Sequence, residues 1–313
     1  MRVVLAVDGS IAADRARDFV ARLHLPADTL IRVVAVMNEG TTALGSDWHR
    51  GPSEAKHGIE TLRQHLMTAL ETAQRTLEDA GDRHVDSVVL LGEPARAIMD
   101  EAVNWDADLL VVGHRGRGAF ATTLLGSTST ALAEHAPCPV LVVREATLRS
   151  ALLAVDGSES SREAIEAVAG WPIFEHLPID VLSVADVRIP IAMEVQTGIY
   201  EQIVESYIES ADEAREQTHA FATRAAEWLT GAGRQATAEV REGSPATAIV
   251  EAAAARGVDL VVMGTRGHTG LARLALGGTA RSVVLRAPCS VLVVRGLRSV
   301  VAPGPVPLAP SAS

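Results

Sequence analysis

Unbroken apolar runs alternate along this chain with stretches in which apolar residues recur every three or four positions. Runs rich in Val and Leu fall near 2–8, 31–37, 85–91, 108–113 and 139–144, and again near 151–156, 179–185, 236–242, 259–264 and 290–295. Such runs suit strands of a parallel sheet covered on both faces. Between them, Ile59, Leu62, Leu66, Leu70, Ala73 and Leu77 mark the inner face of one helix. Ile203, Tyr207, Ala211, Ala214, Phe221, Ala225 and Leu229 mark that of a longer one. Phe19, Val20 and Leu23 share a face of the first helix, and Ile98, Ala102 and Val103 the inward face of a helix opened by Pro94. Strands alternating with helices predict an α/β fold with right-handed crossovers.

The pattern is written twice. Val7-Asp8-Gly9-Ser10 returns as Val155-Asp156-Gly157-Ser158, Gly92 and Pro94 as Gly243 and Pro245, and Ala136-Pro137-Cys138 as Ala287-Pro288-Cys289. Two tandem copies of one domain are expected over residues 1–147 and 148–296, with the junction near 145–150. Residues 297–313, with Pro303, Pro305, Pro307 and Pro310, read as a disordered Pro-rich tail. The long polar loops at 38–56 and 186–199 follow strand carboxyl ends, where open α/β sheets bind ligands, and are candidate lids.

The fourth strand of each copy ends in glycine. Gly113 and Gly116 are followed, after nine intervening residues, by Gly126-Ser127; Gly264 and Gly267 are followed at the same spacing by Gly277-Gly278. A strand end without a side chain lets backbone approach a ligand, and a helix start offers free N–H groups to an anion. Strand, loop of fixed length and helix together read as a phosphate cradle. Arg115, Arg117 and Arg266 either pair with phosphate oxygens or are solvated loop charges. Asp8 and Asp156 are either turn formers or carboxylates that accept hydrogen bonds from a ribose. Ser10 and Ser158 are explained as helix caps, and His114 and His268 as loop histidines.

Composition narrows the chemistry. With 313 residues, 48% of them hydrophobic, the chain can fill two cores. A net charge of −11 and an aromatic content of 3% speak against nucleic acid and anionic membrane. The N-terminus carries no signal-peptide pattern and no run is long enough to span a bilayer, so a soluble cytoplasmic protein is expected. Lys56 is the sole lysine and lies outside any GxxxxGK pattern, which discounts Walker-type and Schiff-base chemistry. Cys138 and Cys289 read as buried core thiols. No HExxH, GxSxG or zinc spacing is present.

The Gly-2x-Gly-9x-Gly-(Ser/Thr) signature, the first strand ending Val-Asp-Gly-Ser and the Ala-Pro-Cys-Pro before the last strand resemble the universal stress protein family in its tandem form. The resemblance implies, for each copy, a Rossmann-like five-stranded parallel sheet in order 3-2-1-4-5 with helices on both faces. It implies ATP, arriving with Mg²⁺, at the split between strands one and four. Asp8 would then hold the ribose and the Val36 backbone the adenine. Gly113, Arg115, Gly116, Gly126, Ser127 and Ser129 would surround the phosphates. The matching positions in copy two are Asp156, Val184, Gly264, Arg266, Gly267, Gly277, Gly278 and Thr279. It further implies antiparallel pairing of the two last strands into an internal pseudo-dimer, with a homodimer or a regulatory protein partner beyond it.

Copy two departs from the signature. Gly278 stands where Ser or Thr is expected and Ala280 where copy one has Ser129; Thr279 is the nearest hydroxyl that could compensate. The expected function is that of an ATP-binding stress-response regulator with little or no turnover, copy one binding more tightly. The alternatives are a slow ATP hydrolase and a nucleotide-free interaction scaffold. An adenylyl-transferring enzyme would need an SGGxDS-type loop or an HIGH-type motif, and neither is present.

Overall fold

The structure, a computed structural model, describes residues 1–38, 52–81, 83–116, 125–186, 200–265 and 276–297, without the side chains of 52–56 and 200–210. Most of both candidate lids, Arg117, Arg266, Gly267, His268 and the tail from 298 lie outside the described residues.

In copy one the order is β1 (Arg2–Ala6), α1 (Ile11–Arg22), β2 (Leu30–Met37), α2 (Pro52–Asp79), β3 (His84–Leu91), α3 (Pro94–Asn104), β4 (Leu109–Gly113), α4 (Ser127–His135) and β5 (Val140–Val143). Copy two repeats it as β6 (Ala151–Val155), α5 (Glu159–Gly170), β7 (Pro178–Ala185), α6 (Tyr200–Gly231), β8 (Gln235–Glu242), α7 (Pro245–Arg256), β9 (Leu260–Gly264), α8 (Gly278–Arg286) and β10 (Ser290–Val294). The strands form one sheet in the order β3-β2-β1-β4-β5-β10-β9-β6-β7-β8. Neighbours within each copy are parallel. The two halves meet through β5 and β10, which run antiparallel with Leu141 opposite Leu292. The order 3-2-1-4-5 is thus present in each half.

Alternation decides which side of the sheet each residue serves. Val3, Leu5 and Val7 face one layer, with Phe19, Leu66, Leu70 and Leu77; Ile165, Phe174, Phe221 and Leu229 continue that layer through copy two. Val4 and Ala6 face the other, with Ile98 and Leu132, continued by Ile249 and Val283. The inner strands β4, β5, β6, β9 and β10 are buried at every position, which explains their unbroken apolar sequences. The outer strands β3 and β8 are half-exposed and carry polar residues.

Two expectations from periodicity need correction. Val103 is 57% exposed, because Ala95, Ile98 and Ala102 already define the inner stripe of α3 and the next residue is rotated off it. Ala214 is exposed on α6, where the buried face runs through Ala211, Phe221, Ala222, Ala225 and Leu229. A short 3₁₀ turn, Pro172–Phe174, also follows α5 and buries Ile173 and Phe174.

A pair of arginines ties the halves together. Arg144, just past β5, donates to the carbonyls of Val284 (2.8 Å) and Leu285 (3.2 Å) at the end of α8. Arg295, just past β10, donates to Glu134 O (2.7 Å) and to Ala133 O at the end of α4. Each copy therefore caps a helix of the other at the carbonyl end, where a cation is favoured. Arg83 and Arg234 play the same part within each copy. Arg83 donates to Val20 O and Leu23 O, and Arg234 to Val168 O and Ala169 O.

Candidate functional site

β1 lies between β2 and β4, so the chain leaves the sheet in opposite directions on either side of it. The Val7 N–H still reaches Val34 O (2.8 Å), and the chain then turns away through Gly9 at φ +75°. The turn is closed by Asp8, whose Oδ1 accepts the Ser10 N–H at 3.0 Å. Ser10 caps α1 by accepting the Ala13 N–H (3.2 Å), and its hydroxyl donates to Arg115 O (3.3 Å). The cap expected from sequence is present, and it also holds the glycine loop.

Val36 stands past the point where β1 has ended. Backbone groups alternate in direction along a strand. The Val34 carbonyl serves Val7 on the β1 side, and the Met37 carbonyl serves Gly92 on the β3 side (3.2 Å). The Val36 N–H and C=O therefore face the slot vacated by β1, where a planar base edge can be read by one donor and one acceptor. Val184 is placed alike, since Ala185 O accepts from Gly243 N (3.0 Å) on the β8 side.

The other wall is the glycine loop. A Cβ on Gly113 would lie 2.5 Å from the backbone C and O of Ala12, so the first turn of α1 rests on bare strand end. A Cβ on Gly116 would meet the Asp8 Oδ2 at 2.7 Å, which places the carboxylate directly against the loop backbone. The Gly126 N–H closes the loop onto His114 O (2.8 Å). α4 then begins at Ser127 with no side-chain cap, leaving its first N–H groups for an external acceptor. Ser127 is exposed there. Arg115 carries a buried Nε with no hydrogen-bond partner among the described residues. The structure turns Ser129 the other way. Its buried hydroxyl donates to Gly113 O at 2.7 Å, so it fastens α4 to the strand end rather than facing the cradle.

Among its described residues, copy two keeps the turns of copy one and changes the side chains. Asp156 accepts the Ser158 N–H at 3.0 Å, Ser158 caps α5, and Gly277 N–H reaches Thr265 O at 2.8 Å. A Cβ on Gly264 would lie 2.6 Å from the Ser160 Cβ. Ala280 is buried in the place of Ser129, so Gly264 O has lost that hydroxyl. Gly278 and Thr279 open α8, and a Cβ on Gly278 would have no neighbour within 4 Å among the described residues.

Thr265 stands where copy one has His114. The His114 Nδ1 is 3.3 Å from Val143 O, and the ring is half-buried. Burial, then the charges of Arg144, Arg115 and Arg15, push its pKa below the usual histidine value against the pull of the Val143 carbonyl. The unfolded chain, with a histidine pKa of about 6.5, takes the proton first. The contribution of the neutral ring is thus fully present above that pH and is lost as pH falls through the folded value. The thermal midpoint is expected to fall between pH 7.5 and pH 5.5, and His114→Thr to flatten that dependence. Equal slopes for both proteins would contradict the assignment.

Among the described residues there is no group of three or more His, Cys, Asp or Glu able to hold a metal ion, and no helix long and apolar enough to cross a membrane.

Residues 1–144 and 147–295 each match the universal stress protein family. A universal stress protein of Mycolicibacterium smegmatis is 28% identical over 320 residues, spanning 94% of this chain and 96% of its own. One from Methanocaldococcus jannaschii is 35% identical over 144 residues, which is 46% of this chain and 80% of that protein. The crystal structure of a universal stress protein from Archaeoglobus fulgidus shares the fold, with a TM-score of 0.62 at 19% identity over 94% of this chain and 98% of that one. With two matches placed end to end over residues 1–144 and 147–295, this chain belongs to the universal stress protein family and carries the family's domain twice in tandem.

Proposed function

We propose that the chain is a cytoplasmic, stress-responsive regulator that binds ATP at the carboxyl edge of each half-sheet, with Mg²⁺ brought in by the nucleotide, and turns it over little or not at all. The observation that carries this reading is the cradle between Asp8, the bare backbone of Gly113 and Gly116, and the uncapped start of α4. In this reading the Gly116 and Ser127 N–H groups bind phosphate, Arg115 offers the unpaired Nε, Asp8 takes ribose hydroxyls, and Val36 reads the adenine edge. Arg266, Gly267 and the copy-two equivalents are proposed to act alike.

The bound nucleotide would supply a polyanion and a flat base, which cross-brace β2, the β1 turn and the glycine loop. Binding only to the folded form stabilises it by mass action, about 2.7 kcal/mol at a ligand concentration of 100 Kd. Turnover needs a base aimed at the attacking water. The acids at the site, Asp8 and Asp156, each already accept a turn N–H. A regulatory partner that reads the braced form would complete the function.

Calorimetric titration with Mg·ATP tests the reading. Saturable binding that Asp8→Ala weakens at least about tenfold is expected, since charged hydrogen bonds contribute about 1.5–3 kcal/mol. No heat of binding in either protein would end it. A phosphate-release time course with the same pair separates binder from hydrolase.

Copy one should bind more tightly. Gly278→Ser restores the missing hydroxyl where a Cβ meets no described residue. It is expected to tighten the second site about tenfold and to leave the melting temperature unchanged. Unchanged affinity would mean that the serine of the signature contributes nothing there.

A further inference from the structure

The helix that offers its N–H groups to the first site is short. α4 runs nine residues, from Ser127 to His135, a rise of about 13 Å. A helix of that length is marginal in water, so its direction is set by what grips its ends. Copy one grips the start, where the Ser129 hydroxyl donates to Gly113 O at 2.7 Å. Copy two grips the finish. Arg295 donates to the carbonyls of Glu134 (2.7 Å), Ala136 (3.5 Å) and Ala133, and Arg281 of α8 pairs with Glu134 at 3.0 Å.

The backbone that carries Arg295 is itself fixed. It follows β10 directly, and β10 is paired on both sides, with β5 of copy one and β9 of copy two. The next residue, Gly296, turns at φ +55°, and a Cβ there would lie 2.9 Å from Pro137 O. The chain just past Arg295 therefore rests on the segment that follows α4. A ladder and a close backbone contact hold the guanidinium to one direction of approach. Arg144 meets the end of α8 in the same manner.

Two effects of this contact reach the other end of α4. The dipole that favours a cation at the carbonyl end favours an anion at the N–H end, and the two charges attract along the helix. The contact also keeps the last turn wound and the first N–H groups aimed at one point; hydrogen bonds weaken steeply when misdirected. Both effects favour a phosphate at Gly126 and Ser127. Neither bears on Asp8 or the Val36 backbone, which belong to the β1 turn and β2. We propose that Arg295 is a positioning residue for the phosphate end of the first site, supplied by the second copy. The first site is then incomplete within copy one, and copy two contributes to it whether or not its own site is filled. This inference rests on the nucleotide reading above.

The test is calorimetric titration of the full chain with Mg·ATP and with adenosine, in an Asp156→Ala background that disables the second site. Arg295→Ala should weaken ATP about fivefold and move adenosine by less than about twofold. Arg295→Lys keeps the charge but cannot fork between carbonyls, and should fall between Arg295→Ala and the wild type. It carries the comparison if Arg295→Ala folds poorly. Arg234→Ala is the control, because that arginine caps carbonyls at the end of α5 within copy two. Its loss should lower stability and leave ATP affinity at the first site unchanged, and this control decides where adenosine binds too weakly to read. Equal weakening of ATP and adenosine by Arg295→Ala, equal weakening of ATP by Arg234→Ala, or no change in ATP affinity overturns the proposal. Absence of ATP binding in the Asp156→Ala protein with Arg295 intact would instead bring down the nucleotide reading itself.

Discussion

Gly113→Val is expected to cost about 3 kcal/mol of stability and to abolish ligand binding at the first site. The Cβ alone would stand 2.5 Å from the backbone C and O of Ala12 and 2.9 Å from the Ala13 N. These are backbone atoms of a helix turn, which cannot rotate aside as a side-chain tip can. α1 must lift off the sheet, carrying Ser10 and the Arg115 carbonyl it holds. Overpacking of this kind costs about 1–3 kcal/mol, sometimes more, and each kcal/mol lowers the midpoint of a domain of this size by about 2–4 °C. Gly278→Val is the control, because that Cβ meets nothing within 4 Å among the described residues. Scanning calorimetry should show a clear drop for the first and a shift within about 0.5 kcal/mol for the second. Equal melting temperatures would show that α1 does not press on the strand end.

Arg144→Ala should destabilise the joint between the halves by about 2–4 kcal/mol. The guanidinium is half-buried, and it caps two carbonyls of α8 and meets the dipole of that helix. Its loss leaves those carbonyls without this donor. Arg144→Lys should recover less than half, since an ammonium cannot fork between two carbonyls as a guanidinium does. Chemical denaturation followed by separate probes in each half should become non-coincident in Arg144→Ala. Persistence of one sharp transition at the wild-type midpoint would contradict the clasp.

Much of the architecture is readable from pattern alone, and its limits are physical. Inner strands such as Leu109–Gly113 and Ser290–Val294 are marked by unbroken apolar runs because both faces are covered. The glycine spacing is legible because a strand end and a helix start must both stay bare. Val103 misled because α3 is short and one extra apolar residue beside a full stripe carries no sign of its direction. The role of Ser129 was hidden because its hydroxyl serves a carbonyl sixteen residues back, a contact made only when α4 packs on β4. The clasp arginines had an unused signal: Arg144 and Arg295 both follow the same four apolar residues, Val-Leu-Val-Val. A cation kept at the same step past two equivalent strands points to a shared task, though its helix partners belong to the other copy.

A crystal structure of the full chain with Mg·ATP tests the central claim most directly. The account predicts the phosphates within hydrogen-bond distance of the Gly116 and Ser127 N–H groups, the ribose on Asp8 and the adenine edge on the Val36 backbone. Nucleotide bound elsewhere on the sheet, with the Gly116 and Ser127 N–H groups and the Val36 backbone unengaged, would contradict it.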